Sequence, residues 1–315
     1  MLMNPCAATI PSFWSAVLGV AVLVLTSRAA DNRTMLETIR FDGRTRSYRL
    51  HLPPMMNSKA HVPLVIVLHG GGGNAWNATE QTGFDAIADR EGFIVAYPNG
   101  SGPAHPLLDA QGRGRYTWNA GSCCGFAARS GTDDVGFLRA MLDTIAHQYP
   151  IDRRRIFATG ISNGGMMAYR LACQLSDVLA AIGVVAGTQM VECHPTAPVS
   201  VIHIHGTDDQ YVPIAGGVGP KALDKTPKTP VEQTIAFWVK HNRCIPSPTV
   251  TTSDAVTTYT YTTADQHIAV VLMLIAHGGH AWPGGKRLSL LLDKPPTAID
   301  ASDVIWEFFA SHAKQ

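Results

Sequence analysis

The chain has 315 residues, 46% of them hydrophobic and 16% charged, with 25 Lys and Arg against 24 Asp and Glu for a net charge of +1. That length fits one large domain. The near-neutral balance lacks the electrostatic footprint that nucleic acid or an anionic membrane surface requires, and it predicts an uncharged substrate or one recognised by shape and stacking.

From Phe13 to Leu25 the sequence is almost wholly apolar, and Thr26-Ser27-Arg28-Ala29-Ala30 follows. An apolar run of that length ending in small residues predicts a secretory signal peptide rather than a membrane span. Ser27 and Ala29 suit the cleavage site, so residues 1–29 are read as a leader and residues 30–315 as a single catalytic domain. An uncleaved anchor is the alternative, because no Lys or Arg precedes the run. Cleavage removes one Arg and no acidic residue, which leaves 24 basic against 24 acidic groups and no membrane attachment. The destination is extracellular or periplasmic. There, Cys123, Cys124, Cys173, Cys193 and Cys244 are expected to form two disulfides with one thiol left over, the pairing being open. Their spacing does not match a zinc site, and no metal or cofactor is expected.

Past the leader, alternating apolar residues around Asp42-Gly43 predict a β-hairpin over residues 38–53. Pro63 to Gly70 is a continuous apolar run, as in a parallel strand buried on both faces. Residues 84–91 read as helix, 92–97 as a second buried strand, and 98–130 as a long loop rich in Gly, Pro and Arg. Residues 133–149 read as a helix, 155–159 as a strand and 165–173 as a helix, before two more buried strands at 180–187 and 199–206. A helix over 231–241, a late strand pair at 257–261 and 267–276, and a closing helix over 301–313 with Asp300 as N-cap complete the chain. Buried strands alternating with helices predict an α/β fold, a three-layer sandwich with a mainly parallel central sheet.

Gly160-Ile161-Ser162-Asn163-Gly164 is a G-x-S-x-G pattern in a strand–turn–helix context, where a serine at the tip of a sharp turn can act as nucleophile. A carboxylate to orient a histidine is offered by Asp208 or Asp209, just past the strand that ends at His205. The glycine-rich loop His277-Gly278-Gly279-His280 offers the base, with His280 favoured over His277. The order Ser…Asp…His is that of α/β-hydrolases. Two backbone N–H groups can hold an oxyanion: that of Asn163, and one from the run His69-Gly70-Gly71-Gly72-Gly73, Gly71 first and Gly72 second. Trp118 and Trp282 lie in loops near the same edge and are candidates for stacking on substrate, with packing of the loops as the equal alternative. His203 and His205 have a spacing that suits a metal but read better as buried, hydrogen-bonded histidines.

In order along the chain, the strings LHGGGGN, YPNG, TWNAGSCCG, DDVGFL, RRIFATGISNGGMMAYRLAC, IHGTDDQYVP and GGHAWPGG resemble the secreted poly(3-hydroxybutyrate) depolymerase / feruloyl esterase family, a branch of carbohydrate esterase family one within the α/β-hydrolases, over residues 38–312. The resemblance implies Ser162 as nucleophile, Asp209 as orienting acid and His280 as base of a serine esterase. It implies an ester substrate, from a polyester oligomer or the plant cell wall. Acetyl xylan esterase, peptidase and dienelactone-type activities are alternatives on the same scaffold, and an inactive binding protein is a different class. His277 stands where such proteins more usually carry Gly or another residue.

Overall fold

The computed structural model describes residues 33–54, 60–288 and 292–314, so the leader read at residues 1–29 lies outside the described residues. Asp42 and Gly43 both take positive φ, 49° and 69°, which closes the expected hairpin between β1 (Thr34–Phe41) and β2 (Arg44–His51). Every residue of β3 (Val62–Leu68) is buried, as are those of β4 (Ile94–Pro98), β6 (Ala181–Val185) and β7 (Ser200–Gly206). Strands without a polar face must be covered on both sides, which dictates layers. The longer β5 (Ile151–Ile161) runs in from the surface, and β8 (Thr249–Ser253), β9 (Val256–Thr262) and β10 (Ala269–Ile275) close the sheet.

The strand order is β1-β2-β4-β3-β5-β6-β7-β10-β9-β8. From β4 to β10 the neighbours pair in parallel, while hairpin-connected strands add antiparallel edges at both ends. Side chains of β3 alternate between two cores. Leu64, Ile66 and Leu68 point into the core shared with α5 (Asp134–Gln148), α6 (Asn163–Gln174) and α7 (Val231–His241). Val65 and Val67 point into the one shared with α1 (Ala75–Thr82), α2 (Phe84–Glu91) and α8 (Ala301–Ser311). This is the expected three-layer α/β sandwich. In the second core Phe157 and Phe309 stack at 4.6 Å, each burial contributing about 1.5–3 kcal/mol. Asp300 caps α8 by accepting from the N–H groups of Ser302 and Asp303, as expected.

Four elements were not legible beforehand. Helix α1 buries only Ala75, Ala78 and Thr82, so it shows no apolar stripe, and β8 is exposed along its whole length. The loop at 98–130 carries two short helices, α3 (Pro106–Ala110) and α4 (Gly125–Arg129). No helix among the described residues is long and apolar enough to cross a membrane.

Candidate active site

Ser162 stands between β5 and α6 with φ 57° and ψ −122°, a conformation that costs a non-glycine residue on the order of 1–3 kcal/mol. The turn closes because of its glycines. A Cβ at Gly164 would lie 2.3 Å from the Leu68 carbonyl oxygen, and one at Gly160 would lie 2.7 Å from it, so the elbow can press against β3 only when both positions are bare. Asn163 opens α6, so its N–H has no carbonyl one turn back within the helix. The helix N-terminus also favours negative charge beside the serine.

Across the sheet edge, His280 Nδ1 donates to Asp209 Oδ2 at 2.7 Å, and the two side chains are 10% and 0% exposed. The other oxygen, Asp209 Oδ1, accepts from the N–H groups of Tyr211 and Val212, both at 2.8 Å. Burial pushes the Asp209 carboxyl up. The His280 hydrogen bond, the electrostatic interactions with His280 and His205 and the Val212 N–H outweigh it and hold the group below its ordinary value of 3.8. His280 N–H is fixed to Asp293 Oδ2 at 2.8 Å, and its ring packs on Tyr211 with centroids 4.9 Å apart. Ser162 and His280 line the same cleft of 920 Å³, and no hydrogen bond joins them in this structure. Such contacts are often long before substrate binds.

The rival pair separates cleanly. His277 and Asp208 face solvent and meet each other there, with Nδ1 and Oδ2 3.3 Å apart and the side chains 91% and 57% exposed. Adjacent residues in a turn point to opposite sides, so Asp208 and Asp209 reach different histidines.

Behind Asp209 lies a buried polar chain. His205 Nε2 is 2.8 Å from the Val212 carbonyl oxygen, which can only accept, so Nε2 carries the proton. Its Nδ1 then accepts from His203 Nε2 at 2.9 Å, and His203 Nδ1 accepts from the Tyr169 hydroxyl at 2.7 Å. Burial lowers the pKa of both histidines, keeping them neutral and the tautomers fixed. His205 Nε2 also lies 3.5 Å from Asp209 Oδ2. These two histidines are therefore hydrogen-bonded to each other, and they brace the loop that carries the carboxylate. Sequence reasoning recognised them as buried partners but not that they lead to Asp209. Tyr169 was missed; its only signal was a tyrosine on the buried face of α6.

Hydrogen bonding distinguishes the two candidate glycine amides. Gly72 N–H donates to the Tyr116 carbonyl at 2.8 Å, whereas Gly71 N–H meets no protein acceptor among the described residues. A Cβ at Gly71 would stand 3.6 Å from Asn163 Cβ, which sets the two amide-bearing residues side by side. His69 shapes the run by pairing Nδ1 with the Gly70 carbonyl oxygen at 2.8 Å and accepting the Gly100 N–H on Nε2 at 3.0 Å. Burial lowers its pKa from 6.5 to about 4.

Trp118 and Trp282 pack the loops rather than line the cleft, the second of the two arrangements open to them in the sequence. Both are 0% exposed. The Trp118 indole N–H donates to the His69 carbonyl at 3.0 Å, while the Asn163 side chain clasps the Trp118 backbone at 2.7 and 3.0 Å. The Trp282 indole N–H donates to Ser302 Oγ at 2.9 Å. Large rings in glycine-rich loops bury readily when a loop folds over the sheet edge, and here they tie the loops down.

Cys173 pairs with Cys193 and Cys123 with Cys124, while Cys244 is a buried thiol, which is the expected two disulfides and one free cysteine. Among the described residues, Cys123, Cys124 and Asp224 bring three potential metal-ligating atoms together. Sulfurs joined to each other are not thiolates, so this group is poorly suited to a metal.

The family model for esterase PHB depolymerase matches residues 46–222. The protein NocK of Nocardia uniformis subsp. tsuyamanensis is 32% identical over 279 residues, 81% of this chain and 76% of its own length. Feruloyl esterase B of Piromyces equi is 32% identical over 234 residues, which are 71% of this chain but only 40% of that relative. An acetyl xylan esterase from Aspergillus awamori superposes with a TM-score of 0.59 at 14% identity, covering 88% of this chain and 99% of the other, a likeness of fold alone.

Proposed function

The chain belongs to the esterase PHB depolymerase family and is a carboxylic-ester hydrolase; from that premise we propose that it cleaves esters by two-step acyl transfer at Ser162. His280 takes the proton as Ser162 Oγ attacks the ester carbonyl, and Asp209 holds the imidazole and stabilises its charged form. The N–H groups of Asn163 and Gly71 hold the oxyanion. The protonated His280 then passes its proton to the leaving alcohol. Water, activated by the same histidine, releases the acid. The observation that carries this reading is the 2.7 Å bond between His280 and Asp209 in the cleft that also holds Ser162. Ser162→Ala should lower turnover of a short p-nitrophenyl ester by about 10⁴-fold or more. Turnover equal to wild type would refute the assignment.

The substrate belongs to the ester class handled by a polyhydroxybutyrate depolymerase or a feruloyl or acetylxylan esterase, and relatives with the latter two names support the plant cell-wall reading. Export through a leader at residues 1–29 is part of the same proposal, and the Cys173–Cys193 disulfide supports an oxidising compartment. N-terminal sequencing of protein from the medium or periplasm should begin at Ala30; an intact N-terminus would contradict it.

A further inference from the structure

The near-neutral balance of the whole chain, a net charge of +1, conceals a one-sided distribution in the cleft. Its lining holds six Lys and Arg residues and two Asp residues. Both acids are neutralised in place. Asp224 accepts from Lys228 Nζ at 2.9 Å, and Asp293 takes the His280 N–H and lies 3.6 Å from Lys221 Nζ. Lys286 is paired with Glu80 at 2.7 Å. Arg113, Arg115 and Arg129 are exposed and have no carboxylate within ion-pair distance among the described residues. The Arg113 guanidinium lies over the Trp76 ring, 5.1 Å from its centroid.

Backbone pairing holds the segment carrying two of these arginines beside the glycine run. Gly72 N–H donates to the Tyr116 carbonyl at 2.8 Å and Tyr116 N–H to the Gly73 carbonyl at 3.0 Å, so the Arg113–Tyr116 segment lies antiparallel to the glycine run. Asn74 Nδ2 adds a bond to the Gly114 carbonyl at 3.1 Å. Tyr116 turns inward, 7% exposed, and its neighbour Arg115 turns out into the cleft mouth. Arg129 ends α4, whose start at Gly125 also lines the cleft, and α4 is tied to the same segment by the Ala127 N–H bond to Thr117 Oγ1 at 3.0 Å.

We propose that the cleft selects esters bearing a free carboxylate, held at its mouth by Arg113, Arg115 and Arg129 while the ester lies at Ser162. Guanidinium groups suit this because their planar fork matches a carboxylate, and positive charge around a cleft concentrates anionic substrate. The inference rests on the reading of Ser162 as nucleophile. It departs from the expectation of an uncharged substrate drawn from composition, since a sum of charges says nothing of where they stand. The carboxylate has two possible sources, the free end of a hydroxyacid oligomer or a uronate in an acidic polysaccharide.

The test compares matched esters: the 3-hydroxybutyrate dimer as free acid and as its methyl ester, then acetylated glucuronoxylan and acetylated neutral xylan. At low salt kcat/KM should favour at least one acidic partner by about tenfold, mostly through KM, as three exposed charge contacts of modest strength allow. The pair showing the preference identifies the source. Raising ionic strength should erode it. Arg113→Gln, Arg115→Gln and Arg129→Gln combined should bring the ratio near one, while the three Lys replacements should keep much of it. Equal kcat/KM for acidic and neutral partners at low salt, or a preference unmoved by the Gln variants, would overturn the inference. Ser162 is judged separately by whether Ser162→Ala abolishes hydrolysis of both partners.

Discussion

Behind the sheet edge, Tyr169, His203 and His205 form one buried chain of hydrogen bonds that ends at the Val212 carbonyl, 3.5 Å from Asp209; in front of it, the cleft is walled by loops whose side chains face water, with Leu223 95% exposed and three arginines that have no carboxylate partner among the described residues. The back has one solution because each buried donor and acceptor must be met. The front has no such constraint. In the proposed reaction chemistry is set by the buried side and selection by the open one, so substitutions on the two sides should differ in kind: loss of rate and stability behind, altered KM in front.

The largest effect behind should come from Asp209→Asn. An amide there leaves His280 in the wrong tautomer and should lower kcat by on the order of 10³–10⁴. A kcat within tenfold of wild type would break the division between back and front. Next comes pH. His69 binds a proton in the unfolded chain at its ordinary 6.5 but, buried, only at about 4. Between these values the unfolded state takes up more protons, so stability falls as pH drops, by about 3 kcal/mol once pH reaches 4. Denaturant midpoints measured between pH 7 and 4 should show this slope, reduced in His69→Gln.

Tyr169→Phe removes the hydroxyl that satisfies His203 Nδ1 and should cost about 1–3 kcal/mol of stability. With Asp209 still bonded to His280, kcat should fall much less than in Asp209→Asn. Urea melts and steady-state rates on the same preparation separate the two. The smallest effect belongs to the front. Leu223→Ser should leave stability within about 0.5 kcal/mol and raise KM for long acyl chains more than for acetate. A large loss of stability there would mean that the cleft wall is part of the core.

The serine elbow was legible because its causes are local: five residues set the turn, and the two glycines are required by backbone contacts with β3. The buried strands were equally plain from their unbroken apolar runs. The choice of Asp209 over Asp208 was not local. Neighbouring aspartates in one turn differ only in which way they point, and only the fold pairs one with His280 and the other with His277. Trp118 and Trp282 were undecided between stacking and packing for a related reason, because burial of a loop aromatic depends on what packs over it. The charge of the cleft was hidden in a near-neutral sum, since the acids of the cleft and Glu80 are spent on lysines and the His280 N–H.

The most direct test of the central claim is to label the protein with a fluorophosphonate and map the adduct by peptide mass spectrometry. One adduct on Ser162 is expected, forming in step with loss of ester hydrolysis and far more slowly in Asp209→Asn. Hydrolysis persisting with Ser162 fully labelled, or inactivation with the label on another residue, would contradict it.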